Sequence, residues 1–586
     1  MVGRGLSAQM GTGQPERPKG VAAQARITAT LARKKELEST KSLPLSKSVP
    51  KSWWDFRRGL QLLQGQTPSG RQETMRTCRF YRGITVIARP GLSPKLGTLT
   101  ALAVMAFQAV ILGQRGDPES AATCWNCRTE STEDSALTNR TAGMNDTQKV
   151  VGAQACAYCH GQSNSGSQPK ALREYTIWAE QDPHAFAYST LFNDRSRKIV
   201  QRLGLDQANR APECLVCHTT NNSHQTSEIA FARDKTDGVS CEACHGSAEK
   251  WLEPHTQQDW KFLSTGDKQA LGFRDTDNLV NRAVVCAHCH VGSANGQVNH
   301  DMIAAGHPRL YFELSAYLDR MPRHWSREQD NSLHSPAPEA RTWAVGQFVS
   351  AAAAAELLSA RAVIGPKQPR HQPLVEFAEY ECFSCHRPIQ SKAIGDANIS
   401  GNRSDGKLVW GTWHFSLIHE LLDGPNHTVL VSNPAEAKLI ANQIKAIQQT
   451  MSQSVPDWKV VRVAAASLRE QLMTAATIAS ASSITESELR QTIVGLSSLT
   501  EAAGDQSWDT MAQRYLGLVA IHQSMMEFGS GIEYDRPHQE EAAKQLATIK
   551  SWLKFPENRD GPLVMPLGDS QEINRLFLQF GRKVAD

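Results

Sequence analysis

Apolar and polar residues follow two different patterns from residue 150 onward. Residues 430–586 contain several stretches, beginning with AEAKLIANQIKAIQQTMSQ, in which apolar residues recur at the spacing of an amphipathic helix. Residues 150–425 consist of shorter polar segments broken by Gly, Asn and Pro, with helical patterns near 169–180 and 308–320. The chain is therefore predicted to be mainly α with little or no β, with short helices and loops in the first region and a helical C-terminal bundle in the second.

A single uncharged apolar run, LGTLTALAVMAFQAVILG, occupies residues 96–113. Basic residues precede it, as in a secretory signal peptide, and the run is long enough to remain as a signal anchor. A buried core helix is a third interpretation. Residues 1–95 show no sustained periodicity and are predicted to be disordered, or a leader wrongly assigned to the protein with translation starting near Met75. We therefore expect export, with the body soluble or tethered to a membrane through 96–113.

The distribution of charge argues against a nucleic-acid partner. Residues 1–95 carry 18 Lys and Arg against 5 Asp and Glu, a net charge of +13, so the chain total of +4 leaves −9 for residues 96–586. The positive charge thus lies outside the predicted fold, and no nucleic acid is expected to bind. Residues 114–149 are rich in Thr, Ser, Asn and Asp and are predicted to be a linker.

The sequence Cys-x-x-Cys-His occurs five times between residues 150 and 425. In this motif two thiols can add to the vinyl groups of one haem while the adjacent histidine binds the iron. Zinc sites and redox disulfides are the alternatives, but neither needs a histidine directly after every second cysteine. The chain is therefore predicted to carry five covalent haem c groups. The predicted attachment residues are Cys156, Cys159, Cys214, Cys217, Cys241, Cys244, Cys286, Cys289, Cys382 and Cys385, and the predicted iron ligands are His160, His218, His245, His290 and His386.

A sixth Cys-x-x-Cys pair, Cys124 and Cys127, lies in the predicted linker and is followed by Arg128 instead of histidine. Because the histidine that would bind the iron is missing, we favour a local disulfide or two unreacted thiols. A degenerate haem site and a redox-active pair are the alternatives.

The second axial ligand of each iron decides between electron transfer and catalysis. An iron held by two histidines is suited to electron transfer, whereas an open position can bind a small molecule. Histidines near the motifs are the candidates, and two of them, His300 and His307, are far enough apart to serve two different haems. The predicted distal ligands are His184, His255, His300, His307 and His324, with His224, His371 and His414 as weaker candidates.

The sequence resembles the cytochrome c554 family of multihaem c-type cytochromes over roughly residues 150–310, and to a lesser degree up to 425. The first four motifs, the segment DPHAFAYSTL and the segment GVSCEACHG carry the resemblance. It implies a largely helical fold with closely stacked haems, of which one can be five-coordinate, and a role in passing electrons, notably downstream of hydroxylamine oxidation. It also implies that His160, His218, His245 and His290 are axial ligands and that His184 and His255 are distal ones. The fifth motif and the C-terminal bundle depart from the best-known members, which are smaller and carry four haems.

Three functions remain open from the sequence. The first is an exported, periplasmic cytochrome that transfers electrons between redox partner proteins, since covalent haem and paired cysteines belong to oxidising compartments. The second is an oxidoreductase with one open haem that acts on a small nitrogen or sulfur compound, with Glu313, Arg309 and His324 lining the pocket. The third is a haem-bearing sensor whose C-terminal helices dock another protein. The supply of spare histidines favours electron transfer.

Overall fold

The computed structural model describes the chain from residue 148 onward, with gaps. All of the described residues lie within one compact unit, Ala121–Asp586. The predictions for residues 1–95, 96–113 and the pair Cys124 and Cys127 lie outside the described residues, as does Cys385. The described ranges are 148–161, 172–220, 236–325, 336–362, 375–382, 386, 408–423, 434–498, 507–528, 536–555 and 570–585.

Helices supply nearly all of the regular structure, and the mainly-α prediction is confirmed. In the described ranges, the β pairing is limited to two isolated bridges, Ser293 with Gly296 and Tyr380 with Trp410. None of the helices in these ranges combines the length and apolarity that a membrane span needs. Residues 148–423 contain α1 (Ala153–His160), α2 (Glu174–Gln181), α3 (Asp194–Leu203), α4 (Pro212–His218), α5 (Cys241–His245), α6 (Thr265–Ala270), α7 (Leu279–His290), α8 (His300–Ala305), α9 (Leu314–Arg320), α10 (Pro338–Arg361), α11 (Thr412–Phe415) and α12 (Ile418–Asp423).

The C-terminal region is helical as predicted. Its helices are α13 (Pro434–Met451), α14 (Trp458–Ala481), α15 (Glu486–Ser498), α16 (Trp508–Phe528), α17 (Arg536–Leu553) and α18 (Ser570–Ala585). In α14, one face of the helix is apolar and buried, with Val461, Leu468, Leu472 and Ala479 at helical spacing. Asp457 begins this helix by accepting the backbone N–H groups of the first turn.

Side chains that cap the first turn determine where several of the short helices before residue 325 begin. Asn193, Asn278 and Asn299 each accept a backbone N–H of the first turn, and so fix the starts of α3, α7 and α8. The helical pattern near 308–320 becomes a helix only at α9, because the buried Glu313 side chain caps it by accepting the N–H groups of Ser315 and Ala316. Five short 3₁₀ turns, at Pro183–Phe186, Ser189–Phe192, Pro254–Thr256, Gln258–Phe262 and Phe377–Glu379, connect these helices.

The long helix α10 joins the motif region to the C-terminal helices. It is buried on nearly all sides, with Trp343, Phe348 and Leu358 in the core, as expected for a helix without a polar face. It packs along α14 and also contacts α7, α9 and α16. One hydrophobic core therefore runs from α7 to α18. The sequence analysis did not predict this helix, since its alanine-rich sequence shows no amphipathic period.

Candidate metal centres

The described motifs occupy the last turns of helices. Four helices, α1, α4, α5 and α7, end on the histidine of their motif. In a helix, residues i, i+3 and i+4 share one face, so the spacing Cys-x-x-Cys-His places two thiols and one imidazole on the same side. In the fifth motif, the backbone N–H of His386 donates to the carbonyl oxygen of Cys382, which is the hydrogen bond of a helical turn.

The nine motif cysteines in the described ranges are free thiols. Among those residues, no three His, Cys, Asp or Glu side chains converge as a metal cluster would require. Covalent haem attachment would use two such thiols in each motif.

The imidazoles of the five motifs each face one imidazole from outside the motifs. We number these pairs, which we call sites, in the order of the motifs. Between ring centres, the distance is 6.4 Å at site 1 (His160 with His255), 6.5 Å at site 2 (His218 with His307), 6.3 Å at site 3 (His245 with His324), 6.0 Å at site 4 (His290 with His184) and 6.2 Å at site 5 (His386 with His300).

The spacing of the rings fits one metal ion between each pair. An imidazole nitrogen binds a metal at about 2.0 Å and lies about 1.1 Å from its ring centre, so two rings on opposite sides of one metal have centres about 6.2 Å apart. Ordinary aromatic contacts spread over about 4.5–7 Å. The five distances fall between 6.0 and 6.5 Å, and every pair joins a motif histidine to a distal one. The donor set therefore fits a haem iron with two axial histidines.

Hydrogen bonds at Nδ1 orient several of these rings. His218 Nδ1 lies 2.9 Å from the carbonyl oxygen of Ala187, and His307 Nδ1 lies 2.8 Å from that of Pro308. A carbonyl oxygen only accepts, so Nδ1 must carry the hydrogen and Nε2 is left free for a metal. His255 Nδ1 is directed in the same way at backbone carbonyl oxygens of its own helical turn.

At two sites, a carboxylate instead of a backbone carbonyl accepts the hydrogen bond from Nδ1. His160 Nδ1 lies 3.0 Å from Glu174 of α2, and His184 Nδ1 lies 2.9 Å from Asp182. The hydrogen bond to Glu174 raises the pKa of His160. The sequence analysis missed both carboxylates. Asp182 could have been noticed because it stands two residues before a candidate ligand, whereas the contact of Glu174 with His160 depends on how α1 and α2 pack.

Burial keeps other paired imidazoles neutral. Burial, reinforced by the nearby His324 and Arg274, lowers the pKa of His245 to about 4. Burial also lowers the pKa of His218, His307 and His324. Metals bind the neutral imidazole, so these rings are in the state that coordination requires near neutral pH.

Neighbouring sites approach each other through their cysteines. The thiols of Cys156 and Cys241 lie close enough to shift each other's pKa between sites 1 and 3, and those of Cys217 and Cys289 do so between sites 2 and 4. Cys244 of site 3 is close enough to Cys289 of site 4 to interact with it electrostatically. Sites 1, 3, 4 and 2 therefore follow one another in space in that order.

The remaining sequence candidates lie elsewhere. His414 is a partly buried residue of α11 whose Nδ1 atom is buried without a hydrogen-bond partner among the described residues, and it faces no motif imidazole there. The weaker candidates His224 and His371 lie outside the described residues. Of the residues proposed for an open catalytic pocket, Glu313 caps α9, Arg309 pairs with Asp509 and His324 belongs to site 3.

Comparison with known families agrees with the resemblance seen in the motifs. The family model for cytochrome c554 and c-prime matches residues 155–246, a segment that contains the first three motifs and His184. Searches of curated proteins and of solved structures found no match. The match over residues 155–246 therefore supports a c-type cytochrome with covalently bound haem c and a role in electron transfer.

Proposed function

We propose that the chain carries five haems, one at each of the five sites, and moves electrons along them between two redox partner proteins. One observation carries the proposal: every motif histidine faces a second histidine at 6.0–6.5 Å. Two axial histidines close both faces of an iron. Such an iron exchanges electrons and does not bind a substrate.

The order of the sites supports a continuous electron path. The interactions between their cysteines support an order in which site 1 is beside site 3, site 3 beside site 4 and site 4 beside site 2. Site 5 is linked to site 2 by α8, since His300 begins this helix and His307 follows its end by two residues. A bound haem supplies the one-electron chemistry at each site, while the protein sets each potential through its axial ligands, burial and nearby charge.

The proposal includes export to the periplasm. Residues 96–113 would direct the chain out of the cytoplasm and could tether it to the membrane, and covalent haem attachment suits an oxidising compartment. The donor and the acceptor would then be proteins of that compartment or of the membrane.

Haem stoichiometry tests the number of haems. The intact holoprotein should carry five haems per chain by mass and by absorbance after denaturation. Replacing both motif cysteines in Cys241→Ala, Cys244→Ala should remove one haem, because the two thioether bonds hold it. The matched control is Cys124→Ala, Cys127→Ala, in which Arg128 replaces the ligand and the count should stay at five. A count of five in the first variant would contradict the assignment.

A further inference from the structure

The hydrogen bonds around the axial imidazoles differ from site to site. At site 1, Glu174 accepts from the motif imidazole, and at site 4, Asp182 accepts from the distal imidazole. At site 2, both rings donate to neutral backbone carbonyls instead. Sites 1 and 4 therefore each present a carboxylate to one of their imidazoles, whereas site 2 presents only neutral acceptors.

The two carboxylates are held in place by more than the imidazole. The side chain of Asp182 is nearly fully buried, and its Oδ1 also accepts the backbone N–H of His184 at 3.0 Å. Glu174 Oε2 bonds to His160 while its Oε1 accepts the backbone N–H of Leu172 at 3.1 Å. Both carboxylates are thus fixed by the fold in position to accept from an axial ligand.

At site 3, no carboxylate among the described residues hydrogen-bonds to the Nδ1 of either imidazole, although Asp182 and Glu174 lie within electrostatic range of His324. The Nδ1 of His324 has no hydrogen-bond partner among the described residues, and the Nδ1 of His245 is 3.5 Å from a neutral hydroxyl, that of Thr276. Two cations lie close by. Arg274 donates to the carbonyl oxygens of the motif itself, at Ala243 and Cys244, and Arg282 interacts with both imidazoles.

These differences have a predictable effect on an iron between the rings. A carboxylate that accepts from an imidazole makes the ring a stronger electron donor. A stronger donor stabilises the ferric state, so the reduction potential falls. A nearby fixed cation disfavours the additional positive charge of the ferric state, so the potential rises.

We propose that Glu174 and Asp182 are tuning residues that give sites 1 and 4 the lowest reduction potentials. The nearby guanidinium groups of Arg274 and Arg282, with no carboxylate in the described ranges hydrogen-bonded to His245 or His324, give site 3 the highest potential of the first four. This inference rests on the proposed function, because it needs an iron at each site. Site 3 lies between sites 1 and 4 in space. The first electron to enter this part of the chain therefore settles in the interior of the path.

Spectroelectrochemical titration of the intact holoprotein tests the two carboxylates. Glu174→Gln and Asp182→Asn each keep an oxygen that can accept from Nδ1 but remove its negative charge. Each substitution should raise one midpoint potential and leave the others in place. Substituting a residue that hydrogen-bonds to a metal ligand typically changes an equilibrium at the metal by about tenfold. For a one-electron reduction, a tenfold change corresponds to a shift of about 59 mV in the midpoint potential. The electron paramagnetic resonance signals should remain low-spin, which shows that both axial ligands are still bound.

The matched control is Glu213→Gln in α4. Glu213 is an exposed carboxylate next to a motif cysteine, and it makes no hydrogen bond to an imidazole of the sites. The substitution Glu213→Gln therefore measures how far the loss of one nearby negative charge shifts a reduction potential when no hydrogen bond to an imidazole is involved. If both tuning variants shift no potential further than this control does, the inference is overturned. The haem count of the same samples separates this failure from a failure of the proposed function, which would appear as fewer than five haems in the unmodified protein.

The position of the highest potential has its own test. Removing the haem of site 3 with Cys241→Ala, Cys244→Ala should abolish the wave of highest potential among the first four sites. Disappearance of a low-potential wave instead would contradict the assignment of site 3.

Discussion

Individual imidazoles in this protein are oriented by what their Nδ1 atoms contact. His218 and His307 donate to backbone carbonyls, while His160 and His184 donate to carboxylates. In each case, the other ring nitrogen, Nε2, is left free of that hydrogen bond. The orientation of each ring is therefore set residue by residue, through local hydrogen bonds at Nδ1.

Removing a distal ring should open one iron. In His255→Ala, site 1 loses its second imidazole while the motif residues that attach the haem remain. One haem in five should become high-spin in the oxidised protein, and the reduced protein should bind one equivalent of carbon monoxide. The visible spectrum and a carbon monoxide titration measure both effects.

The control for this variant is His522→Ala. His522 is a buried residue of α16 that packs against Phe580 and belongs to none of the five pairs. This substitution should leave every haem low-spin. An unchanged spin state in His255→Ala would rule out His255 as an axial ligand.

At the scale of single elements, buried caps decide where helices begin. Glu313 accepts two N–H groups at the start of α9, yet its side chain is nearly fully buried. Burial of the charge outweighs the two hydrogen bonds and raises the pKa of Glu313 to about 7. The helix start is thus fixed by a carboxyl group that is easier to bury when it is protonated.

This cap predicts a dependence of stability on pH. Because the pKa of Glu313 is higher in the folded protein than in the unfolded chain, its contribution is complete below pH 4.5 and is lost as pH rises through about 7. Between pH 5 and pH 8, the free energy of unfolding should fall by about 2–3 kcal/mol from this group. Glu313→Gln should remove that part of the fall, as measured by urea unfolding at both pH values.

Asp457→Asn is the matched control for the cap. Asp457 begins α14 with the same type of hydrogen bond but lies exposed to solvent. Its substitution should leave the slope between pH 5 and pH 8 as it is in the unmodified protein. An equal slope in the unmodified protein and in Glu313→Gln would contradict the role assigned to burial.

At the scale of the whole molecule, a buried ion pair fastens the motif region to the C-terminal helices. Arg309 follows site 2 along the chain and makes two hydrogen bonds, at 3.0 and 2.9 Å, to Asp509 of α16. The hydroxyl of Thr412 donates to the same carboxylate. The C-terminal helices thus contribute directly to the region around the fifth motif, since Cys382 lies within electrostatic range of Arg309.

Breaking this pair should cost far more than breaking an exposed one. Asp509→Asn leaves the buried guanidinium of Arg309 without its counter-charge, which typically costs about 3–5 kcal/mol. Asp194→Asn removes an exposed partner of Arg197 and should cost at most about 1 kcal/mol. Chemical unfolding of both variants measures the difference, and similar losses in the two would contradict the structural role of the buried pair.

The sequence predicts the attachment residues because the motif is local, but it could not predict which histidines face each other. His255 lies only ten residues from His245, yet it faces His160, and His184 faces His290 across more than a hundred residues. Such pairs depend on how helices far apart in the sequence pack. All five predicted distal histidines lie opposite motif histidines, and their role as ligands stays a prediction.

The domain boundaries predicted from the sequence also stay predictions. The change in pattern near residue 430 follows from amphipathic helices that the sequence shows clearly. The burial of α10 could not be predicted in the same way, because its surroundings come from the C-terminal helices that cover it.

Electron paramagnetic resonance of the oxidised holoprotein, with haem counted per chain, tests the central claim most directly. Five haems that are all low-spin, and that do not change when cyanide, nitrite, nitric oxide or hydroxylamine is added, are the result predicted by five closed histidine pairs. A high-spin component that shifts with one of these small molecules would contradict the account, because it would show an iron with an open face and place the protein among multihaem oxidoreductases.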